Sequence, residues 1–399
     1  MNARDRSILT VTCYGHFLSH FNMLVFPAIL LPLSGRLGLG MAETLDLAFW
    51  MYLLFGLTAL PWGILADRLG AGPMLALFHL GAGICGVAAA MNLDSPAGFR
   101  LSLAGIGFFS GIYHPAGLGW IACCVSRTSA GMAYNGMFGN LGLAAGPLLA
   151  GGVNWLLGAR AVYLCLALLN LAGLLFLTRI RVSSRAAGRE KKGEAAASVR
   201  RGFAVLLVCM MLGGIVYRGA TVTMPALFEL RGTGIHAAFL RLFAGAHISK
   251  NVVATGLASG LYLIGMLGQY AGGRAGERFD LRMGYLVFHL MTLPAAFLVG
   301  RAFDLPLVLL VTLHSFFLLG MQPVENTLVA RLTPPSLHSS AYGMKFVLTF
   351  GVGALAVKLI KGVEGAWGIA AVFPALGCVS LLLVGAVCVL IRLTPPMKS

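Results

Sequence analysis

The sequence predicts an all-α membrane protein in which twelve transmembrane helices form two pseudo-symmetric bundles of six. Three observations support this fold class. The 399 residues are 58% hydrophobic and only 11% charged, with a mean hydropathy of +0.87. The chain divides into twelve apolar runs, each of about the 20 residues that cross a bilayer. Short stretches of the first half recur, in the same order, in the second half.

The composition excludes a water-soluble protein, because a soluble domain carries roughly 25% charged residues. The 53 glycines suit helices that approach one another closely inside a membrane. A formal charge of +16 would suggest a nucleic-acid partner for a soluble protein. Here the basic residues lie in short loops between apolar runs, where they act as topology determinants. We therefore expect the lipid bilayer as a partner, and no nucleic acid.

The first apolar run is too long for a signal peptide and has no small-residue cleavage site, so it is expected to stay as a helix. The remaining runs follow at short intervals along the chain. The twelve predicted helices cover residues 8–33, 45–66, 73–92, 100–124, 131–156, 161–180, 203–228, 253–273, 283–300, 305–330, 340–361 and 366–391.

Charge distribution predicts the orientation. Most of the 29 basic residues fall in the loops on the side of the N-terminus, which the positive-inside rule assigns to the cytoplasm. An even number of spans puts the C-terminus on the same side. With its compact loops, the chain is expected to be a multi-pass protein of a bacterial cytoplasmic (inner) membrane, with both termini cytoplasmic and no partner subunit.

The densest basic stretch runs from Arg179 to Arg201 and is interspersed with Ala, Gly and Ser. Such a composition is typical of a solvated linker, although contact with anionic lipid headgroups is an alternative. It predicts an N-terminal six-helix bundle at 1–180, a basic cytoplasmic linker at 181–202 and a C-terminal six-helix bundle at 203–399.

An internal repeat relates the two halves. Gly63, Asp67 and Arg68 correspond to Gly273, Glu277 and Arg278, and the paired aromatic residues that precede Pro115 correspond to the pair that precedes Pro323. Phe78–Leu80 also match Phe288–Leu290, and Ala133–Met137 resemble Ala341–Met344, so four matches occur in order at nearly constant spacing. Parallel repeats of this kind are typical of transporters whose substrate binds near the middle of the bilayer.

The loop after the second run contains Gly63, Leu65, Asp67, Arg68 and Gly70. This stretch resembles the signature motif of the major facilitator superfamily, although Ala71 and Gly72 stand where that family usually has basic residues. The resemblance implies the major facilitator fold and a conformational gate. The implied gate residues are Gly63, Asp67, Arg68, Gly70, Gly273, Glu277 and Arg278.

A second pattern lies in the fifth run, where Gly142, Gly146, Pro147 and Gly151 follow one another on a helix, with Ala150 at one glycine position of the family's pattern. It resembles a motif of the superfamily that is found in exporters, which work as antiporters. Small residues permit tight helix packing, and proline removes a backbone donor and bends the helix. We expect a helix-packing motif here.

Two patches resemble the fosmidomycin-resistance branch of the superfamily. Ser19 and His20 form the first, and the second runs from Gly111 to His114 and Pro115. Members of that branch commonly carry an acidic residue near each patch. This chain has Ala116 after the proline and no acidic residue within the first apolar run.

Ionisable residues inside membrane helices are costly and therefore functional candidates. Arg218 lies near the middle of the seventh run, where it would either bind an anion through two hydrogen bonds or tie down backbone carbonyls. Glu325 and Lys345 lie in the tenth and eleventh runs and would form either a structural ion pair or a coupling site. Glu325 is the leading candidate for a proton carrier.

Histidines near the bilayer centre form a further group. His20 and His114 would bind protons or substrate, or serve only as packed residues, and Gln322 corresponds to His114 in the repeat. His16 and His20 have the i, i+4 spacing of metal ligands, but no third ligand is evident in the sequence. We therefore expect no metal site and no cofactor.

Together these patterns predict proton-coupled export of a drug or metabolite by alternating access. The alternative is an organic-anion importer or a uniporter that uses Arg218 as its anion site. An enzyme would need a nucleophile with a base, or a metal-ligand cluster, and the sequence has neither pattern. A receptor with a transporter-like fold is the remaining class. The candidate residues for the substrate and proton pathway are His20, His114, Arg218, Gln322, Glu325 and Lys345.

Overall fold

The structure, a computed structural model, describes residues 3–126, 128–178, 197–243, 247–333 and 338–397. Within these ranges every regular element is a helix. The linker predicted at 181–202 lies outside the described residues except for 197–202, which begin a long helix instead of continuing a linker.

Nine helices form the first part of the chain. They are α1 (Ala3–Ala28), α2 (Leu30–Leu37), α3 (Met41–Asp46), α4 (Phe49–Leu57), α5 (Ala59–Leu69), α6 (Ala71–Met91), α7 (Pro96–Ser110), α8 (Tyr113–Cys124) and α9 (Thr128–Thr178). Proline at the first position of α7 and the hydroxyl of Ser95, which accepts a bond from Gly98 N, explain why α7 begins where it does.

The second part contains α10 (Ala197–Arg231), α11 (Thr233–Leu242), α12 (Lys250–Arg278), α13 (Leu281–Val299), α14 (Asp304–Gly320), α15 (Gln322–Arg331), α16 (His338–Phe346), α17 (Leu355–Trp367) and α18 (Val372–Leu393). Between α16 and α17 the chain passes through a π-helical segment, Val347–Gly351, and a short 3-10 turn, Val352–Ala354. π-Helical turns are uncommon and occur frequently at functional sites.

Eight helices of the described residues are long and apolar enough to cross a membrane, and the number rises to ten if two bent pairs each cross as one span. The sequence predicts twelve. The fifth and sixth runs merge into α9, which is interrupted only at Gly158, where φ is 80° and a glycine is favoured. The fourth run is divided into α7 and α8 near Gly111, so neither helix is long enough to cross the membrane on its own.

The bend after α1 has an identifiable cause. Helices α1 and α2 meet at 51°, two residues after Pro27. A proline has no amide hydrogen, so the carbonyl of Met23, one turn earlier, loses its helical partner. The hydroxyl of Tyr52 donates to that carbonyl at 3.0 Å, which satisfies a buried acceptor inside the membrane.

The described residues group into two compact units. Those within Met1–Gly188 and Asn251–Ser259 form the first unit, and those within Arg189–Lys250 and Gly260–Ser399 form the second. In the first unit α1 packs along α9. In the second, a core that includes Leu206, Tyr285, Leu328 and Leu383 joins α10, α13, α15 and α18. Exposed leucines on the spans, such as Leu157 and Leu168, are typical of lipid-facing surfaces.

Candidate functional site

Three histidines of the first unit lie together. His16 and His20 are one turn apart on α1, and His114 lies near the start of α8. The ring centroids of His16 and His20 are 4.9 Å apart, and each is 5.3 Å from that of His114. His16 and His114 are buried and His20 is half-buried. The structure therefore brings His114 next to His16 and His20, the pair with i, i+4 spacing for which the sequence showed no third ligand.

The orientation of His16 is fixed by α9. Its Nδ1 lies 2.8 Å from the backbone carbonyl oxygen of Asn135. A carbonyl oxygen can only accept a hydrogen bond, so we assign the ring hydrogen of neutral His16 to Nδ1. The Nε2 atom is then unprotonated, and it lies 3.2 Å from Nε2 of His20. Tyr113 stacks on the His16 ring at 5.0 Å, and the Asn135 side chain donates to the Tyr113 hydroxyl at 2.7 Å.

A buried ion pair lies in the second unit. Lys345 Nζ is 2.8 Å from Oε1 of Glu325, and both side chains are almost fully buried. The hydroxyl of Tyr285 donates to the other carboxylate oxygen at 2.7 Å. Lys345 also donates to the amide oxygen of Asn326 at 2.5 Å. The pair therefore joins α13, α15 and α16 through charge-assisted hydrogen bonds.

Arg218 and Gln322 also belong to the second unit. Arg218 lies on α10 with a residue exposure of 3%. Gln322, the first residue of α15, accepts a hydrogen bond from Gln269 of α12 at 3.0 Å. Helix α12 thus holds Gln322, which lies three residues before Glu325 on α15.

The predicted gate residues occupy helix ends. Gly63, Asp67 and Arg68 lie on α5, and Gly70 joins α5 to α6 with φ 90° and ψ 157°, a conformation that favours glycine. Asp67 and Arg68 are exposed, and neither has an ion pair within the part of the chain that the structure describes.

The second copy of the gate motif ends α12. Gly273, Glu277 and Arg278 lie in its last two turns, and Glu277 pairs with Arg274 at 3.2 Å on the exposed face. Glu277, the acidic residue of this copy, thus pairs with Arg274 on its own helix, and Arg274 is not one of the motif residues.

The glycine–proline pattern of the fifth run lies where α9 contacts α1. A side chain at Gly142 would overlap the carbonyl oxygen of Phe17, and one at Gly146 would lie 3.1 Å from Cβ of Leu24. Pro147 lies inside the continuous helix, and Gly151 is buried. The two helices approach so closely that residues larger than glycine do not fit at Gly142.

Sequence reasoning missed several polar residues that surround these groups. Asn135 and Tyr285 orient His16 and Glu325, and each comes from a helix distant in sequence. Asn22 and Asn170 form a reciprocal pair of amide hydrogen bonds, at 3.2 and 2.9 Å, and Asn22 also donates to Ser110. Isolated asparagines inside apolar runs are the signal that would have identified this network.

Apolar helices of this length define a multi-pass membrane protein, and the ionisable side chains buried within them are typical of membrane transporters. The sequence profile of the Major Facilitator Superfamily matches residues 12–249, more than half of the chain. The chain belongs to this superfamily, and it is a membrane transporter of small molecules and not an enzyme. No curated protein matches the sequence.

Solved structures support the same fold. A POT family transporter in complex with 5-aminolevulinic acid superposes with a TM-score of 0.78 at 14% identity, over 97% of this chain and 96% of that one. A variant of the nucleoside transporter NupG superposes with a TM-score of 0.72 at 15% identity, over 96% of this chain and 100% of that one. A bacterial homologue of the human lysosomal transporter Spinster, in an inward-facing conformation, gives 0.68 at 14% identity, over 98% and 96%.

Proposed function

We propose that this protein is a proton-coupled secondary transporter that exports a small molecule, a drug or a metabolite, by alternating access. The observation that carries the proposal is the buried pair of Glu325 and Lys345. Glu325 is the proton carrier. A carboxylate inside a membrane helix is costly and needs a partner, and its protonation removes the charge that holds that partner.

The proton would change the local contacts in a defined way. When Glu325 is ionised, it binds Lys345 through one oxygen and Tyr285 through the other. When it is protonated, the attraction to Lys345 is lost, and Lys345 retains Asn326 as a partner. The contact between α15 and α16 is therefore the element that the proton weakens.

The chain next to Lys345 is suited to respond. The π-helical segment Val347–Gly351 begins two residues later, and such segments are less regular than an α-helix. This segment lies against α10, because a side chain at Gly214 would meet the backbone of Thr349, and Gly353 faces Gly214 in turn. Arg218 is one turn after Gly214 on the same helix. We propose that protonation of Glu325 alters α10 through this contact.

Export is the direction that the pattern at Gly142, Gly146, Pro147 and Gly151 favours, since it resembles the antiporter motif of the superfamily. The close contact of α9 with α1 at Gly142 agrees with a packing role. We further propose that the protein belongs to the fosmidomycin-resistance-like branch, on the resemblance around His20 and His114. Asp67 and Glu277 belong to the conformational gate, on the resemblance of the stretch from Gly63 to Gly70 to the signature motif and on its repeat at Gly273 to Arg278.

The proposed topology follows the charge distribution. A monomer in a bacterial cytoplasmic membrane would have both termini cytoplasmic, with bundles at 1–180 and 203–399 joined by the basic segment 181–202, of which 197–202 are the start of α10. Cysteine accessibility in intact cells tests the orientation. A cysteine introduced at exposed Arg36 should react with an impermeant maleimide from outside, and one introduced at exposed Arg68 should not.

A second candidate function is uniport or import of an organic anion. The burial of Arg218 within α10 favours it, because a guanidinium there presents a paired set of donors to a carboxylate or phosphate. The two functions differ in whether substrate movement carries protons. An anion site at Arg218 is also compatible with proton coupling at Glu325.

The experiment begins with ligands that stabilise the purified protein against heat, screened among organic anions, organic cations and apolar drugs, with Arg218→Ala beside the wild type. A ligand of the folded state raises the melting temperature. Stabilising compounds are then tested in proteoliposomes that contain a pH-sensitive dye. Compound-driven proton movement is expected in the wild type and is expected to be lost in Glu325→Gln.

Glu43→Gln is the matched control, because Glu43 is an exposed carboxylate that belongs neither to the proposed gate nor to the proposed substrate and proton pathway. It should retain proton movement. Substrate flux with no proton movement in the wild type would contradict the proposal and favour a uniporter. Anionic ligands that fail to stabilise Arg218→Ala would support the second candidate.

A further inference from the structure

We propose that His16, His20 and His114 bind one divalent transition-metal ion, of the zinc and cobalt class, inside the first unit. This inference goes beyond the proposed transport function, because it concerns an ion site on the protein whatever the transported compound is. It rests on the convergence of three imidazoles from α1 and α8, whose donor atoms all lie within 4.8 Å of one another.

The distances suit a single ion. Two imidazole nitrogens bound to one tetrahedral ion are about 3.3–3.4 Å apart, given a metal–nitrogen bond of about 2.0–2.1 Å. Nε2 of His16 and Nε2 of His20 are 3.2 Å apart. All three donor atoms lie within 4.8 Å of one another, so a movement of roughly 1.5 Å would bring the donor atom of His114 into the set. The three ring centroids form a nearly equilateral triangle around one point.

The chemistry of the donors selects the class of ion. Neutral imidazole nitrogen suits Zn²⁺, Co²⁺, Ni²⁺ and Cu²⁺, whereas Mg²⁺ and Ca²⁺ prefer oxygen ligands. Three histidines leave the fourth tetrahedral position for water or another ligand. The rings of His114 and Phe55 meet at nearly a right angle with centroids 5.6 Å apart, so an apolar side chain flanks the donors.

The support around His16 resembles that of known metal ligands. A metal-bound histidine almost always donates its other ring hydrogen to a carbonyl or carboxylate, which fixes the ring and directs the free nitrogen at the ion. Nδ1 of His16 has this partner in the carbonyl of Asn135. Gly139 leaves space for the ring: a Cβ there would lie 2.6 Å from Cε1 and 2.7 Å from Nε2 of His16.

The test measures Co²⁺ binding to the full-length protein, purified in detergent through an affinity tag that contains no histidine. Bound Co²⁺ in a tetrahedral site gives strong visible absorption bands, which weakly bound surface ions lack. We expect one Co²⁺ per chain with tetrahedral bands, displaced by one equivalent of Zn²⁺. His20→Gln and His114→Gln should each weaken Co²⁺ binding by roughly 100-fold or more, since each loses a ligand.

Two further variants separate ligation from folding. Gly139→Ala keeps all three histidines but displaces the His16 ring, so Co²⁺ affinity should fall by about 10–100-fold. His289→Gln removes a buried histidine of the second unit and should leave binding unchanged. Wild-type protein without tetrahedral bands, or with bands that persist in both His20→Gln and His114→Gln, would overturn the proposal. Neither result depends on whether the protein moves protons.

Discussion

Nζ of Lys345 lies between two oxygens from adjacent residues of α15, 2.8 Å from Oε1 of Glu325 and 2.5 Å from Oδ1 of Asn326. The remaining carboxylate oxygen of Glu325 accepts from Tyr285. Every charged atom of the pair therefore has a protein partner, and both side chains are almost fully buried. Such a pair adds little stability compared with an apolar substitute, but each member depends strongly on the other.

The first prediction follows from this dependence. Lys345→Met should destabilise the protein by about 3–5 kcal/mol, because it leaves the Glu325 carboxylate buried without its cation. The double variant, Glu325→Gln with Lys345→Met, should be more stable than Lys345→Met alone. The free energies of unfolding of Glu325→Gln, Lys345→Met and the double variant are measured in detergent, with circular dichroism as the signal of unfolding. A double variant that loses the sum of the two single effects would contradict the coupling.

The exposed pair of Arg274 and Glu277 is the control for this measurement. Its members lie 3.2 Å apart on the surface of α12, where solvent screens the attraction. Arg274→Met and Glu277→Gln should change the unfolding midpoint little, singly or together. A large effect there would show that charge removal alone, without burial, destabilises the protein.

A second prediction concerns the contact of α1 with α9. Gly142→Ala places a methyl group against the carbonyl oxygen of Phe17, so α1 must move, at a cost of roughly 1–3 kcal/mol. Gly136→Ala is the matched control, because no atom lies within 4 Å of a Cβ there. It should be neutral, or stabilising by up to about 1 kcal/mol, through helix propensity. Equal melting temperatures for the two variants would show that α1 adjusts freely.

The third prediction tests the bend after α1. Tyr52→Phe leaves the Met23 carbonyl without its donor and should cost about 1–3 kcal/mol. Pro27→Ala restores an amide hydrogen that can bond to the same carbonyl. In the Pro27→Ala background, Tyr52→Phe should therefore cost less. The measurement is a double-mutant cycle from unfolding midpoints, and additive effects would show that Tyr52 does not compensate for Pro27.

Hydropathy was sufficient to predict the all-helical membrane fold, because lipid requires long apolar helices whatever their tertiary contacts. The number of spans was harder to predict. The break in α9 consists of a single residue, Gly158, which lies in the short gap that the sequence predicts between the fifth and sixth runs. The bends after Pro27 and near Gly111 divide runs that are continuous in hydropathy, because backbone geometry and not composition causes them.

The sequence was sufficient to select the single candidate residues, but not to show which of them contact one another. His20, His114, Glu325 and Lys345 stand out because polar side chains are rare in apolar runs. Their partners come from distant positions: Asn135 is 119 residues from His16, and Tyr285 is 40 residues from Glu325. No local pattern encodes such contacts, which is why His114 was not recognised as the third member of the histidine cluster.

The last prediction is a pH dependence at Asp280, which precedes α13 outside the spans. Both of its oxygens accept from the Arg282 side chain, and Oδ1 also accepts from the Arg282 backbone amide. The hydrogen bonds from Arg282 lower the pKa of the Asp280 carboxyl below its ordinary value. Arg282 in turn donates to the carbonyls of Ile391 and Thr394, near the end of α18.

A lowered pKa means that ionised Asp280 contributes stability above its unfolded-state pKa, and that this stability is lost as the pH falls through the folded-state value. Asp280→Asn should therefore be less stable than the wild type at neutral pH, by about 1 kcal/mol, and the difference should disappear in acid. Asp280→Ala also loses the helix cap, so part of its deficit should persist at every pH. Melting curves between neutral and acidic pH measure this. An Asp280→Asn deficit that is the same at every pH would show that the carboxylate charge is not its source.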